Sequence, residues 1–202
     1  MSAPTDSDLW PDVQPEAARR LMLAGLQSFA ERGYHATTTR DVATAAGMSP
    51  AALYVYFPSK AALLFEISRT GHQKTLDLVE DSLAHQGSST DKMRYFVRVF
   101  VAWHARKHTI ARVVQYELRS LPEAEYDKVR AQRRRIEDSV RQLIGDGVRA
   151  GEFDVPDLKT MATAVLSLGV DVARWYSEHT RKTPEELGAE YAELVLRMLR
   201  AA

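Results

Sequence analysis

Apolar residues recur along this chain every three or four positions, the period of helices that bury one face. From about Pro15 to Arg32 the stripe is Leu21, Met22, Ala24, Leu26 and Phe29, closed by Gly33 as a C-terminal cap. Thr38 followed by Asp41 is a Ser/Thr-x-x-acid capping pattern and opens a short helix, "TRDVATAA". Gly47 breaks it, and Ser49-Pro50 begins another, because Ser caps orphan amides and Pro is tolerated at the first helical position. That segment, "LYVYF", has the β-branched and aromatic composition of a strand, but the punctuation at both ends favours a helix. Ser59 can cap a long helix to about His85, and "QGSST" (86–90) is a loop. An amphipathic helix from Asp91 to about His108 follows, then a shorter one to Leu118. "LPEAEY" opens a charged helix to Ala150, stopped by Gly151. Asp157 can cap a helix to about Ser177, and Thr183-Pro184-Glu185-Glu186 opens a last one to about Arg200. The expectation is an all-α chain of about nine helices, without repeats or low-complexity tracts.

The two short helices around Gly47 merit closer reading. A tight turn there needs φ > 0, which glycine adopts at little cost. The first helix offers Val42, Ala43 and Ala46 inward; the second offers Ala51/Ala52, Leu53 and Phe57. Tyr54 and Tyr56 then fall off the buried face. Exposed aromatics on a short helix after a tight turn fit a helix-turn-helix, whose second helix enters the DNA major groove.

Charge adds little to that case. The 202 residues have zero formal net charge, and residues 14–60 hold five cations against three acids, a surplus of +2 (5 − 3). DNA binding must therefore rest on a few well-placed cations. Zero cysteines exclude disulfides and thiol chemistry and agree with a cytoplasmic setting. Hydrophobic content of 45% and charged content of 27% fit a soluble globular chain, with no apolar run near membrane-spanning length. Residues 1–13 read as a disordered acidic arm, without the pattern of a secretory signal. His104 and His108 lie four apart, but "HARKH" lacks the acid of a His-Glu-x-x-His site, so neither a metal nor a cofactor is expected.

Residues 15–65 closely resemble the DNA-binding domain of the TetR family of transcriptional regulators. The segments that match are "RLMLAGLQSFAERGY", "ATTTRDVATAAGMS", "LYVYFPSK" and the following "LL". Two departures are Ala61, where an acid often stands, and Gly25 inside the first helix. The resemblance implies a helix-turn-helix domain over 14–60 and an effector-binding and dimerisation domain over 61–202. It also implies DNA contacts at Thr38, Arg40, Ser49, Ala51, Tyr54, Tyr56 and Lys60, with Lys60 as a phosphate clamp. Ser49 and Thr38 serve equally well as plain caps. No Arg, Asn or Gln lies between Ser49 and Phe57, so apolar contacts and DNA shape would carry sequence choice.

Family membership would further place an effector pocket among the later helices, with Phe100, Trp103, His104, Tyr116, Arg119, Leu168 and Trp175 as candidate linings. Arg133–Arg135 read as a solvated face or as a greeting for an anionic ligand such as a coenzyme A thioester. Ala162, Gly169, Ala173, Leu187, Tyr191, Leu194, Val195 and Met198 are the expected dimer interface. The implied protein is a homodimeric, ligand-responsive regulator, a repressor released from a palindromic operator by a small apolar or amphipathic effector, with no enzyme activity and no membrane partner. Two other readings remain open on the residues alone: an all-α metal protein or enzyme using His104/His108, and a helical adaptor binding proteins through its exposed tyrosines.

Overall fold

The computed structural model describes residues 9–11, 13–177 and 179–199. These form nine α-helices and no strand: α1 Glu16–Arg32, α2 Thr39–Ala45, α3 Pro50–Tyr56, α4 Lys60–Ala84, α5 Ser89–Arg106, α6 His108–Tyr116, α7 Glu123–Arg149, α8 Leu158–Trp175 and α9 Pro184–Met198. A 3-10 turn, Leu118–Ser120, lies between α6 and α7. Helix starts fall where local chemistry puts them. Thr38 and Asp41, Ser88 and Asp91, and Thr183 and Glu186 each satisfy one another's backbone amides reciprocally. Asp157 accepts from the amides of Lys159 and Thr160. The Ser88–Asp91 pair starts α5 at Ser89, so the end of the expected "QGSST" loop is already helix.

Of the expected disordered arm, residues 1–8 and 12 lie outside the described residues. Leu9, by contrast, is buried, and the Trp10 indole N–H donates to Thr70 Oγ1 at 2.7 Å. No described helix is long and apolar enough to cross a membrane.

The chain divides into two compact units: the described residues of Met1–Gly71 with Thr109–Arg130, and His72–His108 with Ala131–Ala202. In the first, Leu21, Met22, Leu26 and Phe29 of α1 are buried together with Val42, Ala43, Leu53, Leu63, Leu64 and Ile67. Gly25, odd by helix propensity, is explained by packing. A Cβ there would stand 2.7 Å from Leu63 Cδ2, so α1 and α4 approach closely only without it.

The second unit is built on α5, α8 and α9, with Met93, Phe96, Phe100, Val101, Val165, Val172, Leu187 and Val195 in one core. This corrects the expected dimer interface. Ala162, Gly169, Ala173, Leu187 and Val195 are buried inside the chain, since their small or apolar side chains let α8 and α9 close on α5. A Cβ on Gly169, for instance, would meet the Phe100 ring at 2.4 Å. Only Leu194 and Met198 of the expected set are exposed, with Tyr191 half-buried. Leu168 and Trp175, expected to line a pocket, are exposed on α8 instead.

Candidate nucleic-acid interface

The α2–turn–α3 segment is fixed from both sides. Gly47 has φ of 66°, and the Met48 and Gly47 amides return to Ala43 O and Thr44 O at 2.8 and 2.9 Å, closing the turn. The Arg20 guanidinium, reaching over from α1, donates to Ala46 O. Arg20 is therefore a brace for the turn, a role that its place in a cation count could not reveal. Leu53 is wholly buried and Phe57 nearly so, as expected from their four-residue spacing.

That burial presents the rest of α3 outward. Tyr54 is 52% exposed and Val55 77% exposed. Val55 was not singled out by sequence; its bare apolar side chain stands next to Tyr54 on this seven-residue helix. Ser49 and Ala51 are exposed at the leading edge, and Tyr56 is half-buried. Ser49 Oγ accepts from Ala52 N at 3.2 Å and so acts as the cap. Tyr54 OH meets Thr39 Oγ1 at 3.1 Å, which ties α3 to the start of α2. Thr38 is exposed, but its hydroxyl is engaged with Asp41 Oδ2 at 2.7 Å. The Thr38 hydroxyl and amide together hold the Asp41 carboxyl below its usual pKa. Arg40 is exposed on α2.

Lys60 departs from expectation. Its ammonium donates to Tyr34 O and Thr37 O, both at 2.7 Å, and lies 4.2 Å from the centre of the Tyr34 ring. An outward phosphate clamp is thus revised to a brace for the loop ahead of α2. The reason is reach: the flexible stem brings the ammonium to two carbonyls of its own unit.

The candidate effector residues are divided between the two compact units. Phe100, Trp103 and His104 cluster on α5, with the Phe100 and His104 rings 4.3 Å apart and those of Trp103 and His104 4.9 Å apart. Tyr116 and Arg119 belong to the other unit and are exposed. His104 Nδ1 bonds Phe100 O at 2.8 Å, and His108 Nδ1 bonds Ala105 O at 3.0 Å, each spending a ring nitrogen on its own helix. Among the described residues no group of three or more His, Cys, Asp or Glu could hold a metal ion. The arginine run is split as well. Arg133 Nε donates to His72 Nε2 at 2.9 Å, Arg135 pairs with Glu80 at 3.2 Å, and Arg134 is exposed.

Known proteins agree with this geometry. Residues 17–67 match the family model described as bacterial regulatory proteins of the tetR family, and residues 86–199 match that of a tetracyclin repressor-like C-terminal domain. A crystal structure of a tetR-family regulatory protein from Rhodococcus RHA1 is 37% identical, with a TM-score of 0.88 over 94% of this chain and 100% of that one. The HTH-type transcriptional repressor KstR2 of Mycolicibacterium smegmatis is 28% identical over 92% of this chain and 93% of its own length. AibR, crystallised with isovaleryl coenzyme A and operator DNA, shares the fold at 20% identity and a TM-score of 0.79, over 91% and 97% of the two chains. The chain belongs to the TetR family of transcriptional regulators, which act as DNA-binding proteins rather than enzymes.

Proposed function

We propose that this chain is a homodimeric, cytoplasmic transcriptional repressor that leaves a palindromic operator when a small apolar or amphipathic effector binds, an acyl-CoA being one candidate class. Residues 14–60 are its DNA-binding domain and 61–202 its effector-binding and dimerisation domain. The observation that carries the reading is the outward presentation of Tyr54 and Val55 on a helix anchored by Leu53 and Phe57. Ser49, Ala51 and Tyr56 extend that face along α3. Thr38 and Arg40 flank it on α2, where a phosphate would meet a helix N-terminus and a cation. Dimerisation is supported by Leu168, Trp175, Leu194 and Met198, apolar side chains exposed on α8 and α9. One recognition helix touches few bases, and two-fold symmetry doubles the contacts on a palindrome.

For induction, the effector must bind the DNA-incompetent form more tightly than the competent one. Thermal-shift titration with acyl-CoAs of graded chain length should raise the melting temperature for a restricted range of lengths, as expected for ligand linked to the folded state. A flat response across the series would remove the acyl-CoA class.

DNA binding is testable by mobility shift with the duplex upstream of the chain's own gene. Tyr54→Ala is expected to weaken binding about tenfold, the scale of one lost aromatic contact of ~1–2 kcal/mol. Affinity should also fall steeply as salt rises, because phosphate contacts release counterions. No complex at low salt, or one indifferent to both salt and Tyr54→Ala, would refute the interface.

A further inference from the structure

We infer that Glu117 is a positioning residue for DNA binding: from the end of α6 it grips the loop that precedes α2, opposite Lys60, and so sets the aim of α2 and α3. The inference rests on the DNA-binding reading of those helices. Glu117 lies far from the helix-turn-helix in sequence, yet belongs to the same compact unit. Its Oε1 accepts from the Tyr34 amide at 3.2 Å. On the other side, Lys60 Nζ binds the carbonyls of Tyr34 and Thr37. A carboxylate on an N–H and an ammonium on two C=O groups are each the charge that the peptide dipole favours.

The segment between them has little freedom left. Thr37 is fully buried, and its hydroxyl is engaged with Gly33 O at 2.8 Å and Ser28 O at 3.1 Å. The Tyr34 ring packs on Phe29 with centroids 5.4 Å apart. Burial raises the pKa of the Tyr34 hydroxyl, and the nearby Glu117 charge adds to that rise. A second stitch joins the same two segments, Ser120 Oγ to His35 Nε2 at 3.2 Å. The Glu117 backbone is itself held, its amide on Val113 O and its carbonyl accepting from Ser120 N, both at 2.9 Å. Thr38, the residue after this clasp, caps α2, and α2 carries Thr39, which bonds Tyr54 of α3. The path from Glu117 to the contact face therefore runs through short, named bonds. A shift of the α6 end would reach the recognition helix by the same path.

The test uses the full-length chain and a fluorescein-labelled duplex of the DNA upstream of its own gene, read by anisotropy, with urea melts on each variant. Glu117→Ala should weaken binding about five- to tenfold, the scale of one ordinary hydrogen bond. Glu117→Gln keeps an acceptor oxygen and should bind within about twofold of wild type. Glu117→Asp, one methylene short, should fall between them; it carries the test if the alanine variant does not fold. Amide exchange should accelerate across α2 and α3 in Glu117→Ala while α8 and α9 keep wild-type protection, a pattern that general destabilisation would not produce. Wild-type affinity in both Glu117→Ala and Glu117→Asp, or a loss matched by the unfolded fraction, overturns the inference. Absence of binding by wild type refutes the DNA-binding reading instead, and the inference with it.

Discussion

Gly188→Ala is expected to destabilise the protein by about 3 kcal/mol, at the upper end of the range for overpacked cores. Gly188 is buried near the start of α9, where that helix meets α5. An added Cβ would stand 2.4 Å from Arg98 O and 3.2 Å from both Arg98 C and Cα. The obstacle is helix backbone, which cannot swing aside as a side chain tip can. Relief requires the two helices to part, and Leu187, Ala192 and Val195 would lose contact with α5 as they do. The gain in helix propensity from Gly to Ala is only ~1 kcal/mol and does not offset this. Urea denaturation checks it: the midpoint should fall sharply, and an unchanged or raised midpoint would show that α9 does not seat on α5 at this distance. The same variant should weaken the proposed dimer, whose surface would include Leu194 and Met198 of α9.

Stability is also expected to fall steeply between pH 6.5 and 4 because of one residue. His104 is buried among Phe100 and Trp103, and burial pushes its pKa down from 6.5 to about 4, partly opposed by the bond to Phe100 O. In this window the unfolded chain takes up a proton that the folded chain refuses. The unfolded state binds more protons, so stability rises with pH and is greatest above 6.5. The drop from 6.5 to about 4 corresponds to about 3 kcal/mol, at ~1.4 kcal/mol per unit. About two-thirds of it should be lost already by pH 5. His104→Leu removes the titrating group, and its stability measured against pH should lack this component. Comparing the two proteins separates His104 from the other five histidines. The capping acids act lower down: Asp41, Asp91 and Glu186 have depressed pKa values, so their contribution is present above the unfolded values and fades as pH falls through the folded ones. Parallel pH curves for wild type and His104→Leu would mean that His104 is hydrated or charged in the folded protein.

How much was legible beforehand differs by element. The starts of α2, α3, α8 and α9 follow from caps whose partners lie two or three residues away, whereas α5, expected from Asp91, begins at Ser89 because Ser88 and Asp91 cap it. The inward faces of Val42, Ala43, Leu53 and Phe57 follow from helical period alone. Periodicity shows that a face is covered without showing what covers it. Ala162, Gly169 and Ala173 therefore looked as suited to a second subunit as to α5, and only packing separated them from the exposed Leu168 and Trp175. Long cations were read least well. Lys60 resembles a phosphate ligand in sequence and Arg20 is only one cation in a count, yet Lys60 bonds the Tyr34 and Thr37 carbonyls and Arg20 that of Ala46.

By itself, then, the sequence determined an all-α chain, the helix-turn-helix at its N-terminal end and the family to which it belongs, because caps, turns and amphipathic faces depend on neighbours within a helical turn or two. Only the tertiary structure decided that Lys60 faces inward, that Glu117 holds a loop more than eighty positions away in the chain, and which apolar residues of α8 and α9 remain open. Those outcomes depend on which helices approach one another and how closely, and no pattern confined to a single helix encodes that.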